Sequence, residues 1–353
     1  MKLLVVTQIV DTSDPALGFF HEWLVEFAHN CSEVIVICLK RGECNLPKNV
    51  RVFSLGKEKK QFSKATYGLR FLRLILKYRN EYDSVFVHMN PEYLVIGGLF
   101  WRFFGKKSSL WYLHKHVDLK LKIAVLLTDT VITASKESFR YSTKKLVILS
   151  HGISVDAGGI HKRAAKAITV ITTGRVSSSK RVIEMLSAIE RLQQKIHDVQ
   201  FVIVGAPVTD EDKIYMGKVA SFIEESGPLK GRVTVLGSVP HSQIGELVAC
   251  SDVFLNLSET GSMDKAVLEA LFLGVPAVTS NVAFARLLSG SSLFLERIDP
   301  ETVSSAIQKA LVADISGISA KVRADHSLKS LIPRIVATLK QHERRTSGRQ
   351  QTL

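Results

Sequence analysis

The chain has 353 residues, 46% hydrophobic and 23% charged, with a formal net charge of +14. That length predicts two domains and a core ample enough to need no disulfide or metal staple, and the mix is that of a soluble globular protein. Cys31, Cys38, Cys44 and Cys250 form no CxxC pair and lack matching histidines, so no zinc or other metal site is expected and reduced thiols suit the cytosol. Met1–Val10 lacks a cleavage site and runs into Asp11 and Asp14, so it does not read as a signal peptide. No stretch reaches the ~18 apolar residues of a membrane span.

Residues 2–7 are a short apolar run, read as a buried parallel strand. A loop over 11–18 follows, then a helix with Phe20, Trp23, Leu24 and Phe27 on one side. Strands are expected at 34–38, 50–53, 84–88, 109–113, 130–134 and 145–149, with helices at 63–82 and 121–127. Residues 157–167 are polar, basic and glycine-containing, a linker in composition. The alternation then restarts. Strands are expected at 168–172, 200–204, 233–236, 253–257 and 277–279, and helices at 181–196, 243–250, 265–273 and 303–311. Gly274 and Pro276 stop the helix at 265–273. Strands alternating with helices imply an open parallel sheet, here twice. The boundaries read as 1–155 for a first Rossmann-like α/β domain, 156–167 for the linker, 168–341 for a second, and 342–353 for a polar tail. Two such domains facing a cleft would suit a bound nucleotide.

Two stretches carry chemistry. Residues 173–180 (Thr-Gly-Arg-Val-Ser-Ser-Ser-Lys) follow a strand and open a helix. A diphosphate there would meet free helix amides, with Arg175 offering a forked contact and Lys180 a point charge. The stretch is neither a Walker loop nor a GxGxxG. Residues 257–276 end a strand, pass through a Gly/Ser turn and enter a helix expected to start near Ser262. Glu269 lies on that apolar helix, where a carboxylate either faces solvent or accepts hydrogen bonds from vicinal hydroxyls.

Together the stretches resemble the donor-binding half of retaining family-4 (group 1) glycosyltransferases of the GT-B fold. The resemblance implies that Gly174, Arg175 and Lys180 bind the donor diphosphate. It implies that Glu269 anchors ribose, and that Ser262, Lys265 and the helix amides face the leaving group. Residues 235–240, including Val239, resemble the segment whose backbone reads the nucleobase. The family pattern has two glutamates eight positions apart, but Gly261 stands eight before Glu269. Glu259 and Asp264 flank it, and Asp264 is favoured to position the sugar. In the first half, Gly18 resembles the glycine loop near the donor phosphate, and His114 a histidine that touches the sugar. His151-Gly-Ile153 resembles the hinge between domains. His88 to Glu92 could face the acceptor.

Residues 1–155 hold 23 lysines and arginines against 13 acids, so the first half carries most of the basic surface. Arg70, Arg73 and Lys77 share a helical face, and Phe100 to Lys107 sets aromatics beside three cations. Such pairings can rest on an anionic membrane. No ribonucleoprotein-type motif is present, so no nucleic-acid partner is expected. The implied protein is a metal-independent retaining glycosyltransferase without a cofactor, acting in the cytoplasm at the inner membrane face. It would take a UDP- or GDP-sugar as substrate and a glycan or polyprenyl-linked acceptor. The alternatives are a noncatalytic nucleotide-sugar-binding subunit, for which Gly261 speaks, and a nucleotide-sugar epimerase.

Overall fold

The structure, a computed structural model, describes residues 1–14, 16–155, 167–258 and 262–347, the last seven of these by backbone alone. The chain forms two compact units, Met1–Gly152 with His326–Leu353, and Ile153–Asp325.

In the first unit the elements run β1 (Lys2–Val10), α1 (Phe20–Asn30), β2 (Glu33–Arg41), β3 (Val50–Ser54), α2 (Lys64–Lys77), β4 (Ser84–His88), α3 (Glu92–Phe103), β5 (Lys107–Trp111), α4 (Leu119–Leu127), β6 (Thr130–Thr133) and β7 (Leu146–Ile148). The seven strands pair in the order β3-β2-β1-β4-β5-β6-β7, and every pairing is parallel. The centre of β1 is buried on both faces, as an interior parallel strand must be. Leu4 and Val6 face one core with Phe71 and Ile75 of α2, Leu94 and Trp101 of α3, and Leu121 and Val125 of α4. Leu3 and Val5 face the other, with Trp23, Leu24 and Phe27 of α1. Helices α2, α3 and α4 therefore form one layer over one side of the sheet.

The second unit runs β8 (Ile168–Thr173), α5 (Val182–Gln193), β9 (Val199–Val204), α6 (Asp210–Glu225), β10 (Val233–Gly237), α7 (His241–Ala249), β11 (Val253–Asn256), α8 (Lys265–Leu273), β12 (Ala277–Thr279), α9 (Pro300–Ala310) and α10 (Ser316–His326). Its five strands, in the order β10-β9-β8-β11-β12, are also all parallel. In both units the strand order reverses beside the first strand, at β1/β4 and at β8/β11. Ligands of open α/β sheets gather at the carboxyl ends of strands at such a reversal.

Three expectations need correction. The second domain was expected to run to residue 341, but the last helix, α11 (Leu328–Ser347), belongs to the first unit. Leu328, Leu331, Ile332, Ile335 and Leu339 recur at helical spacing and bury against the face that holds Trp23 and Phe27. The chain leaves the first unit beneath this helix at Gly152, where a Cβ would lie 2.8 Å from the Trp23 ring and 2.9 Å from Leu328. Second, Arg70 does not share an exposed face with Arg73 and Lys77. Its guanidinium donates to the Leu55 carbonyl at 2.8 Å and lies over the Phe62 ring. Third, of the two starts expected for this helix, Lys265 and near Ser262, α8 takes Lys265, because Asp264 caps it. Most of the expected linker, and the tail from 348 onward, lie outside the described residues.

Candidate functional site

Three glycines line the carboxyl ends of β8, β9 and β10. Gly174, Gly205 and Gly237 adopt φ of 128°, 141° and 69°, where side chains are strained. Backbone bonds join them: the Gly174 amide donates to the Val204 carbonyl at 2.9 Å, and the Gly205 amide to the Gly237 carbonyl at 2.7 Å. A Cβ on Gly205 would sit 1.8 Å from the Gly174 carbonyl oxygen, so this approach admits only glycine. Gly205 escaped the sequence reading because its partner lies 31 positions away.

The β8/β11 reversal holds a connected polar network. Lys180 follows β8 in a short 3-10 turn, and its ammonium is paired with Asp264 Oδ2. The other Asp264 oxygen accepts from the Ala266 amide at 3.2 Å, capping α8. Asn256, buried at the end of β11, donates from Nδ2 to Asp264 Oδ2 at 3.0 Å. Its own carbonyl accepts from Thr279 Oγ1 at 3.1 Å and from the Ser258 amide at 3.3 Å. The relay Thr279–Asn256–Asp264–Lys180 thus links the ends of β12, β11 and β8. Ser262 joins through its carbonyl, which accepts from Asn281 Nδ2 at 2.8 Å. Asp264 is committed to Lys180, to Asn256 and to its helix. Glu259 and Gly261 lie outside the described residues.

One turn along α8, Glu269 is 5% exposed. Its Oε1 lies 3.3 Å from Lys265 Nζ and 3.3 Å from His241 Nε2, at the start of α7. Burial pushes this carboxyl up, but the Lys265 charge and the His241 contact outweigh it, and the group ionises below the ordinary glutamate range. Among the two readings left open for Glu269, the solvated face is excluded. His241 was not singled out in the sequence, since nothing local ties it to a residue 28 positions on.

Arg175 goes elsewhere. It is exposed, and its Nε lies 3.7 Å from Asp212 Oδ2. Asp212 forms the capping box of α6 with Thr209. Hydrogen bonds from the Thr209 and Val208 amides hold its carboxyl below the usual range, with Arg175 contributing. Val239 is half-buried against the second unit's core.

The remaining candidates belong to the first unit. Gly18 precedes α1, where a Cβ would lie 2.6 Å from the Asp14 carbonyl oxygen. His114 is exposed after β5, edge-on to the Tyr112 ring at 5.6 Å. His88 is not open to an acceptor. It is buried at the β1/β4 reversal, stacks on Phe20 with centroids 4.1 Å apart, and meets Thr7 Oγ1 at 3.2 Å. Burial pulls its pKa down to about 3. The next residue, Met89, is held at φ 64°, a conformation side chains rarely adopt. A cavity of about 300 Å³ lies between α2 and α3, floored by Leu39, Leu55, Phe71 and Tyr93 and edged by Lys64 and Lys120. Among the described residues, no cluster of three or more His, Cys, Asp or Glu could hold a metal ion.

Residues 167–313 match the family model "Glycosyl transferases group 1". One subunit of the phosphatidylinositol N-acetylglucosaminyltransferase of Arabidopsis thaliana is 28% identical over 145 residues, 41% of this chain and 31% of the plant protein. The 2-deoxystreptamine N-acetyl-D-glucosaminyltransferase of Niallia circulans is 23% identical over 240 residues, 58% of this chain and 59% of that protein. The matches therefore span under two thirds of these relatives' lengths. The crystal structure of Anabaena HepE with UDP-glucose superposes with a TM-score of 0.72 at 17% identity, covering 97% of this chain and all of that one. At that identity the likeness speaks for fold, and the fold is GT-B. The likeness to group 1 glycosyltransferases rests on residues 167–313, and the fold extends over nearly the whole chain.

Proposed function

We propose that this chain, a glycosyltransferase of the group 1, GT-B type, moves a sugar from a nucleotide-sugar to a glycan or lipid-linked acceptor with retention at the anomeric carbon. The observation that carries the reading is Lys180 held at the β8/β11 reversal beside the bare Gly174 backbone, where a Cβ would come within 3.8 Å of its ammonium. An anion lying across that turn meets a fixed cation and exposed backbone.

In the proposed reaction the bond from the anomeric carbon to the diphosphate oxygen breaks, and a bond to the acceptor oxygen forms on the same face. The acceptor's proton passes to the departing phosphate. Negative charge grows on the diphosphate as positive charge grows on the sugar. Lys180 supplies a cation to the leaving group, with Arg175 added on the family resemblance alone, so the scheme assigns no step to a metal. Glu269, ionised and fixed by Lys265 and His241, accepts hydrogen bonds from ribose hydroxyls. Ser262 and the segment at Val239 line the remaining donor contacts. For Gly18 and His114 the family resemblance alone carries the assignment. Asp264 orients Lys180, and its contact with the sugar rests on the resemblance.

UDP is the nucleotide to try first, because HepE was crystallised with it. The test is a thermal-shift panel of UDP-, GDP- and ADP-sugars, since a bound donor stabilises by mass action. A UDP-sugar should raise the melting temperature, and transfer should give the anomer of the donor by NMR. No shift with any nucleotide at millimolar concentration would remove the reading.

A further inference from the structure

The outer face of the α2–α3–α4 layer combines two features that a solvated surface avoids. The first is exposed apolar area. Leu69, Leu99, Phe103, Phe104, Leu119 and Leu126 are all at least 40% exposed, and Phe103 reaches 85%. Leu99 and Phe103 are one turn apart on α3, and Leu119 and Leu126 two turns apart on α4. The helices are in close contact, since a Cβ on Gly98 would lie 2.8 Å from the Leu127 side chain. The second feature is charge of one sign. Apart from Arg70, which is turned onto Leu55 and Phe62, the three helices carry six lysines and arginines, three on α2, one on α3 and two on α4, against one acid, Glu92. Glu92 is already paired with Lys120 at 2.9 Å. An ordinary outer face mixes both signs and exposes few large apolar side chains.

From this geometry we infer that the outer face of α2, α3 and α4 docks on an anionic lipid bilayer. Leu99, Phe103, Leu119 and Leu126 enter the boundary between headgroups and acyl chains. Arg73, Lys77, Arg102 and Lys122 meet lipid phosphates. No described helix is long and apolar enough to cross a membrane, so the contact is one of lying on the surface. An acidic protein would match the charge, but not aromatic and leucine side chains standing this far out. The surface includes none of the proposed donor residues, and its fate does not depend on the proposed transfer.

The test is co-sedimentation of the full chain with vesicles of phosphatidylcholine alone or with about one third phosphatidylglycerol. The chain should sediment with the anionic vesicles only, and added salt should weaken binding. Leu99→Ser/Phe103→Ser/Leu126→Ser and Arg102→Glu/Lys122→Glu should each lower vesicle affinity about tenfold or more. Both variants should keep the wild-type melting temperature and nucleotide-induced shift. Three results overturn the inference: no binding to anionic vesicles, unchanged binding by both variants, or a wild-type dimer that the apolar variant turns into monomer in sedimentation velocity.

Discussion

Lys180 and Asp264, 84 positions apart in the chain, form an ion pair that fixes the turn after β8 to the N-cap residue of α8. The pair leaves Lys180 partly neutralised until another anion competes for it. Asp264→Asn keeps a good helix cap and releases that charge. Nucleoside diphosphate affinity should rise several-fold, by about 1 kcal/mol or less for a partly exposed pair, while transfer slows. Lys180→Ala should lower kcat by about 10²- to 10³-fold with the fold intact. Isothermal titration and initial rates separate the two effects, and full activity in Lys180→Ala would remove Lys180 from the leaving-group site.

Glu269→Gln leaves Lys265 beside a neutral amide in a buried position. We expect about 1–3 kcal/mol of destabilisation of the second unit and roughly tenfold weaker nucleotide binding. The Glu269 carboxyl ionises below its usual 4.5. Its stabilisation is therefore complete above about that pH and fades as the pH falls through the lower folded value. Denaturant titrations from pH 7 to 3 should show a shallower acid loss in the variant.

Gly205→Ala tests the glycine seam. The added methyl would meet the Gly174 carbonyl oxygen at 1.8 Å with φ at 141°. A cost of more than about 2 kcal/mol is expected, together with loss of nucleotide binding. Near-normal stability in chemical denaturation would show that the two turns are not locked.

His88 makes the first unit acid-sensitive. Its folded pKa of about 3 lies below the ordinary 6.5, so the unfolded chain binds the proton first. Stability is full above about pH 6.5 and falls toward pH 3, by up to about 1.4 kcal/mol per pH unit from this one group. His88→Gln should flatten that slope by close to one proton, read as hydrogen exchange of β1 and β4 amides at pH 7 and pH 5. An unchanged slope would rule out a neutral His88 in the native state.

The strands were legible because interior parallel strands are short runs of β-branched and aliphatic residues, as at 34–38 and 84–88. Helix α3 was not, since Gly97 and Gly98 weaken its helical signal; a Cβ on them would lie 3.0 Å from Trp101 and 2.8 Å from Leu127. Helix α6 begins at an ordinary capping box but spreads its charges over most of its surface, which hides the apolar stripe. Within the candidate site, Lys180, Lys265 and Glu269 were singled out through their resemblance to the family motifs. Asn256, Thr279 and His241 were not, because their roles arise from strand ends that meet only after the sheet has formed. Asp264 was singled out for a sugar contact, and the structure engages it with Lys180 and the α8 cap.

The return of α11 makes the second unit an insertion within the first. Residues 153–325 are contiguous, and their core is made of their own side chains. They should fold when expressed alone. A fragment ending at Gly152 would leave the Trp23 and Phe27 face uncovered, so its solubility should depend on α11 being supplied, even as a separate peptide.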